Sequence, residues 1–195
     1  FMALVFTEDQ DQFRDSIQRF LSDQMPTTRV RQMMATDHAF DHQLWQQASA
    51  QLALTGIHLP EHLGGAGFGP VELGIALEEM GRALFCGPYL SSAVLSAYAL
   101  LISADEDQQE RWLSDIASGE RRCSLAITES AGLWQDDDIH TIATAGNTGD
   151  SLLNGRKRLV IDGQSADLLI VAARSDDGVA LYMIDGDTNG LTVTA

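Results

Sequence analysis

The apolar residues of this chain change period once, near Arg122, from about 3.6 to about 2. Helices and strands bury side chains at incompatible spacings, so the switch divides the chain into a helical part and a sheet part. In the first part Thr7 and Gln10 stand as a capping box, and Phe13, Ile17, Phe20 and Leu21 follow at helical spacing. "DHQLWQQASAQLAL" places Leu44, Trp45, Ala48 and Leu52 on one helical side. Pro70 suits the first turn of "PVELGIALEEMGRAL", and another helix is expected from about Ser91 to Ile102. "DEDQQERWLSDIAS" then runs to Gly119, a residue that ends helices.

Beyond Arg122, "CSLAIT", "IHTIATA", "SLLNGRKRLVI", "DLLIVAAR", "VALYMID" and "LTVTA" read as strands, with "NTGD", "DGQS", "SDDG" and "DTNG" as turns. The expected fold class is α+β: an N-terminal all-helical domain over residues 1–121, then an antiparallel, barrel-like β domain over 122–195. "LTVTA" reads as a strand with no turn after it, and natural sheets avoid leaving such an apolar edge open. The chain is therefore expected to be the front part of a longer protein, with its β domain incomplete.

At 195 residues and 45% apolar content the chain can bury a core. Its longest apolar runs, such as "AVLSAYALLI", are too short to span a bilayer, and "FMALVFTEDQDQF" lacks the marks of a signal peptide. A cytoplasmic, non-membrane protein is expected. The net charge of −16 opposes nucleic acid and anionic membranes, although a local basic cluster, Arg156-Lys157-Arg158, could still meet an acidic small molecule. Its plainer reading is a solvated strand edge. Cys86 and Cys123 lack metal spacing and read as buried thiols.

Other motifs point to chemistry but lack its context. "HLPEH" (His58 to His62) matches an inverted zinc pattern, yet Pro60 and Gly64-Gly65 break the helix that zinc would need. "GGAGFG" has a helix after it but no strand before it, so a helix-to-helix turn is favoured over a phosphate loop. Glu78 and Glu79 point about 100° apart on a helix and cannot form a carboxylate dyad. Asp136 to Asp138 suit a solvated turn better than a metal site. No metal is expected, and pattern alone gives no catalytic residue.

Four separated segments in order resemble the flavin-dependent acyl-CoA dehydrogenases: "LPEHLGGAGFGPVELGIALEEMGRA", "QQERWLSDIASGE", "LAITES" and "LLNGRKRLVIDGQSADLLIVAAR". The resemblance implies a helical domain, a central β-barrel and a C-terminal helical bundle absent from this chain. It implies FAD as cofactor and α,β-desaturation of an acyl-CoA thioester with hydride transfer to FAD. The base, expected in the missing bundle, is unknown here, and this chain alone is expected to be inactive. An electron-transfer acceptor protein and a homo- or hetero-oligomer with a homologue are the implied partners. Lipid metabolism, beta-oxidation or steroid degradation is the implied setting.

By the same resemblance, Leu125, Ala126, Ile127 and Thr128 would hold the flavin, through main-chain groups and the Thr128 hydroxyl. Three departures bear on that site. The family's G-S-D turn becomes Leu133, Trp134 and Gln135, so Trp134 stands where a serine near flavin and thioester is usual. The I-T pair becomes Val160-Ile161, and the aromatic before it becomes Leu159. A buried polar atom without its partner typically costs about 1–3 kcal/mol, enough to weaken flavin binding strongly. Two readings stay open: a working FAD enzyme in which Trp134 shapes a variant acyl pocket, or a non-catalytic partner subunit whose flavin site has decayed. An unrelated α+β binding module is a third.

Overall fold

Thr7 opens the first helix, α1 (Glu8–Gln24), with the expected reciprocal cap. Its Oγ1 accepts from the Gln10 N–H at 3.2 Å, and Gln10 Oε1 accepts from the Thr7 N–H at 3.0 Å. This computed structural model describes residues 5–36, 40–130, 132, 134–146 and 150–194. They fall into two compact units, Phe1–Gly87 with Glu106–Glu120, and Pro88–Asp105 with Arg121–Ala195.

In the first unit, α1 packs on α4 (Pro70–Arg82) by burying Ile17 and Leu21, while Phe13 stacks on Phe68 at 6.1 Å. The two helices also share a buried charge. Glu79 is buried and accepts from Arg14 (2.9 Å), Gln18 (2.9 Å) and Arg82 (2.6 Å). Glu78 points to solvent, and Arg14 reaches it as well, at 2.7 Å. The adjacent glutamates are thus a structural clamp and not a dyad.

Helices α2 (Thr27–Met34) and α3 (His42–Leu52) are joined through Asp41, which caps Leu44 N at 3.0 Å and binds Arg29 at 2.6 Å. Trp45, almost fully buried on α3, donates to the Gly119 carbonyl at 2.9 Å. Gly119 lies past the helix Glu106–Ala117, in the left-handed region at φ 73°, and ends it with a paired turn, Gly119 N to Ile116 O and Glu120 N to Asp115 O, both 3.0 Å.

The loop "GGAGFG" folds back on the chain before it. The N–H groups of residues 64–68 donate to the carbonyls of Glu61, Pro60, Gly56, Leu59 and Ile57. Donors that a phosphate loop would aim at an anion are spent internally. A Cβ on Gly65 would fall 2.1 Å from the Leu59 carbonyl oxygen, which explains the glycine by close approach. "HLPEH" forms a short 3-10 turn, Glu61–Leu63, and among the described residues no group of side chains could hold a metal.

The second unit begins with a π-helix, Tyr89–Ser96, that runs into α5 (Ala97–Ser103). The expected helix is present, but its first two turns are wider than α. Its buried face is rich in serine: Ser92 Oγ accepts from the Cys123 N–H at 3.0 Å, and Ser91 Oγ donates to Asp162 at 2.7 Å. Burial pushes the Cys123 thiol up to about 11, whereas Cys86 is only half-buried.

The sheet is mixed and, among the described residues, open, which corrects the expected antiparallel barrel. The central strand is β4 (Leu168–Ser175), apolar along most of its length because both faces are covered. β5 (Gly178–Asp185) returns antiparallel along one edge through a two-residue loop. Along the other edge lie two short strands in succession, both parallel to β4: β1 (Cys123–Ala126) and β2 (Ile142–Ala145). β3 (Ser151–Asn154) pairs antiparallel with β2. Ala126, Leu169 and Val171 form a core that Leu153, Val160 and Ile184 extend.

"CSLAIT" and "IHTIATA" are strand only over Cys123–Ala126 and Ile142–Ala145, and two further expectations change more. "SLLNGRKRLVI" is strand only over Ser151–Asn154, where it pairs with β2; farther on, Leu159 adopts a left-handed φ of 52° that a continuing strand would not hold. Residues 191–194 of "LTVTA" have no partner strand among the described residues and form none themselves. Among the described residues no helix is long and apolar enough to cross a membrane.

Candidate functional site

β1 and β2 use the same edge of β4, so the chain between them, residues 127–141, must leave the sheet and return to it. Ile127, Thr128 and Glu129 start this excursion. Thr128 and Glu129 are buried. A second segment runs beside it in the opposite sense: Arg158 N–H donates to Thr128 O at 2.8 Å, and Ser124 Oγ donates to Ile161 O at 2.6 Å.

Glu129 and Lys157 pin the two segments together. The Glu129 carboxylate accepts from the His140 and Thr141 amides (both 2.9 Å), the Thr141 hydroxyl (2.6 Å) and Lys157 Nζ (2.7 Å). Lys157 Nζ also donates to Ile127 O at 3.1 Å, and its side chain is only 9% exposed. Burial pushes the Glu129 carboxyl up, but the ammonium, the hydroxyl and the two amides outweigh it and hold the group at about 2. Thr141 is in turn backed by Gly155, where a Cβ would lie 2.4 Å from Thr141 Oγ1 and 2.7 Å from its Cα.

Around this anchored backbone the expected site residues take different positions. Leu125 and Ile127 are half-buried, and Ala126 is buried in the sheet core. Thr128 Oγ1 accepts from Trp134 Nε1 at 2.7 Å, while the indole itself is 68% exposed. Leu159 is 85% exposed and Ile161 46%. Val160 packs against the core, so any contact it makes to a ligand would run through its main chain. Leu133 lies outside the described residues. Trp134, Leu159 and Ile161 are thus exposed apolar residues: the first is tied to Thr128 by its indole, the second follows the Arg158 N–H on the Thr128 carbonyl, and the third has its carbonyl on Ser124.

The basic cluster is not a cluster. Arg156 and Arg158 are exposed, but Lys157 turns inward and is consumed by Glu129. Asp136–Asp138 form a 3-10 turn whose first carbonyl accepts from the Arg174 guanidinium, so the acidic run is a capped turn. The Glu129–Lys157 pair went unnoticed in the sequence. The available signal was that Lys157 is the single lysine of the chain, within "NGRK".

Along this stretch the Ile127 and Thr128 carbonyls take Lys157 Nζ and the Arg158 N–H, and the Thr128 hydroxyl takes the Trp134 indole.

The description "Acyl-CoA dehydrogenase, N-terminal domain" matches residues 7–120. The chain is similar to Acyl-CoA dehydrogenase FadE27 of Mycobacterium tuberculosis, 30% identical over 165 residues, covering 85% of this chain and 42% of that protein. It is similar in structure to a chain of the ChsE4–ChsE5 complex from Mycobacterium tuberculosis, with TM-score 0.85 and 28% identity, covering 100% of this chain and 51% of that one. A Tcur3481–Tcur3483 steroid ACAD variant gives TM-score 0.81 and 27% identity over 95% of this chain and 50% of the other. The chain therefore spans about half the length of the relatives it matches. Over that half it carries the helical and middle β regions in the expected order, and it belongs to the acyl-CoA dehydrogenase family.

Proposed function

We propose that the complete protein is an acyl-CoA dehydrogenase-type flavoprotein that desaturates the α,β bond of an acyl-CoA thioester and works within a hetero-oligomer. The observation that carries the reading is the main chain of Leu125 to Thr128, tied down by Glu129 and Lys157, with exposed Trp134 bonded to Thr128 and exposed Leu159 next to the Arg158 that bonds it. The residues fit FAD: Leu125 to Thr128 would meet the polar edge of its ring system, with the Thr128 hydroxyl as one donor, and Trp134 and Leu159 would contact its faces. When bound, FAD supplies the hydride acceptor. This chain's part is to hold the ring rigidly and to keep water from it. Residues 1–195 contribute no assigned base.

A steroid-type acyl group is the proposed substrate class, supported by similarity to a steroid ACAD built from two different chains. The alternative, a partner subunit without a working flavin, is favoured by one observation: Trp134 stands where the family places a serine, and it already engages Thr128. Visible absorption of the full-length protein, purified alone and co-expressed with a homologous subunit, separates the two. A flavin spectrum from the protein alone supports the enzyme. A colourless protein that joins a yellow complex overturns self-sufficiency and supports the partner role.

A further inference from the structure

An indole N–H can only donate, whereas a hydroxyl carries one donor and two acceptor positions. The 2.7 Å contact between Trp134 and Thr128 therefore has one sense: Trp134 donates and Thr128 Oγ1 accepts. The hydroxyl hydrogen is left over. Among the described residues Thr128 Oγ1 makes no other hydrogen bond, although the residue is 91% buried, with a relative exposure of 9%. A buried hydroxyl with an unspent hydrogen needs an acceptor. Accepting from the indole also polarises the O–H bond and makes it the stronger donor.

The indole's own position adds a second observation. Trp134 is 68% exposed, so packing does not hold it; the bond to Thr128 does. Across the Thr128 carbonyl, which takes the Arg158 N–H at 2.8 Å, Leu159 is held at a left-handed φ of 52° with its side chain 85% exposed. Such a φ is strained for a leucine, and strain of this kind gathers at ligand clamps. Thr128 thus meets the Trp134 indole through its hydroxyl and the segment carrying Leu159 through its carbonyl.

We infer that Trp134 is a positioning residue: it fixes the Thr128 hydroxyl as a hydrogen-bond donor toward an acceptor on the edge of a planar aromatic ligand, and it offers its ring to that ligand. The inference rests on the flavin reading above, with FAD as the ligand. Trp134 converts a departure that reads as decay into a different way of setting the same donor.

The test is FAD binding to the full-length protein, or to its complex with the homologous subunit if flavin loads only there. Trp134→Phe keeps the ring and removes the N–H. It should weaken FAD about threefold to tenfold, the loss of one ordinary hydrogen bond. Thr128→Val should weaken FAD by at least as much, and the double variant should be no weaker than Thr128→Val alone. Without FAD, the thermal midpoint of Trp134→Phe should match that of the wild type, because the side chain is exposed. Equal or tighter FAD binding by Trp134→Phe, or losses that simply add in the double variant, would overturn the positioning role while leaving the flavin reading intact. Wild-type protein that takes up no FAD in either form would overturn both.

Discussion

Lys157→Met should destabilise the sheet unit by about 3–5 kcal/mol, the usual result of removing one partner from a buried ion pair. Methionine matches the aliphatic stem, so the loss comes from charge and not from a cavity. Glu129 would keep its three bonds to His140 and Thr141 but stay buried without the ammonium. Ile127 O would lose its bond from Lys157, so the start of the excursion would loosen as well. Pairing Lys157→Met with Glu129→Gln should recover part of the loss, because the uncompensated charge is gone. Urea unfolding of the sheet unit measures both, and a loss below about 1 kcal/mol would contradict the clamp.

The same pair sets an acid limit. The Glu129 carboxyl lies below its ordinary value of 4.5, at about 2 when folded. A carboxyl depressed on folding contributes its stability in full above the ordinary range and loses it as pH falls from about 4.5 toward about 2. At about 1.4 kcal/mol per pH unit the whole window is worth on the order of 3 kcal/mol. In Lys157→Met the carboxyl loses its ammonium partner, so the acid transition should move to higher pH.

Gly155→Ala is the second large effect. The position needs no unusual φ; it needs space. The new methyl would lie 2.4 Å from Thr141 Oγ1 and 2.7 Å from Thr141 Cα, and a main-chain atom cannot rotate out of the way. Thr141 gives Glu129 both an amide and a hydroxyl bond, so pushing it aside undoes two of the four donors on the carboxylate. Overpacking of this kind costs about 1–3 kcal/mol, and more where backbone must shift. Because Gly155 and Lys157 act on one carboxylate, their losses should sum to less than the two singles. Full additivity in urea unfolding would show that they act separately.

The sequence made the helices legible because their signals are local. The Thr7–Gln10 cap, the buried Ile17 and Leu21 and the Gly119 stop are each settled within a few residues. Sheet topology was less legible. Nothing within "CSLAIT" or "IHTIATA" says that both lie along one edge of β4, since parallel pairing is fixed by contacts dozens of residues away. "SLLNGRKRLVI" looked like one strand because a left-handed leucine leaves no trace in an apolar pattern. For the site, the Thr-Glu pair drew attention to a stretch of main chain that is buried and tied down by side chains. Glu129 finding Lys157 across 28 residues, and Lys157 leaving its two arginine neighbours to do so, are properties of the fold.

The most direct measurement is a crystal structure of the full-length protein, or of its complex with the homologous subunit, grown with FAD. The isoalloxazine should lie with its pyrimidine edge within hydrogen-bond distance of the main chain between Leu125 and Thr128, and with Trp134 against the ring. A flavin seated on other residues, or that stretch of main chain facing away from the bound ring, would contradict the assignment.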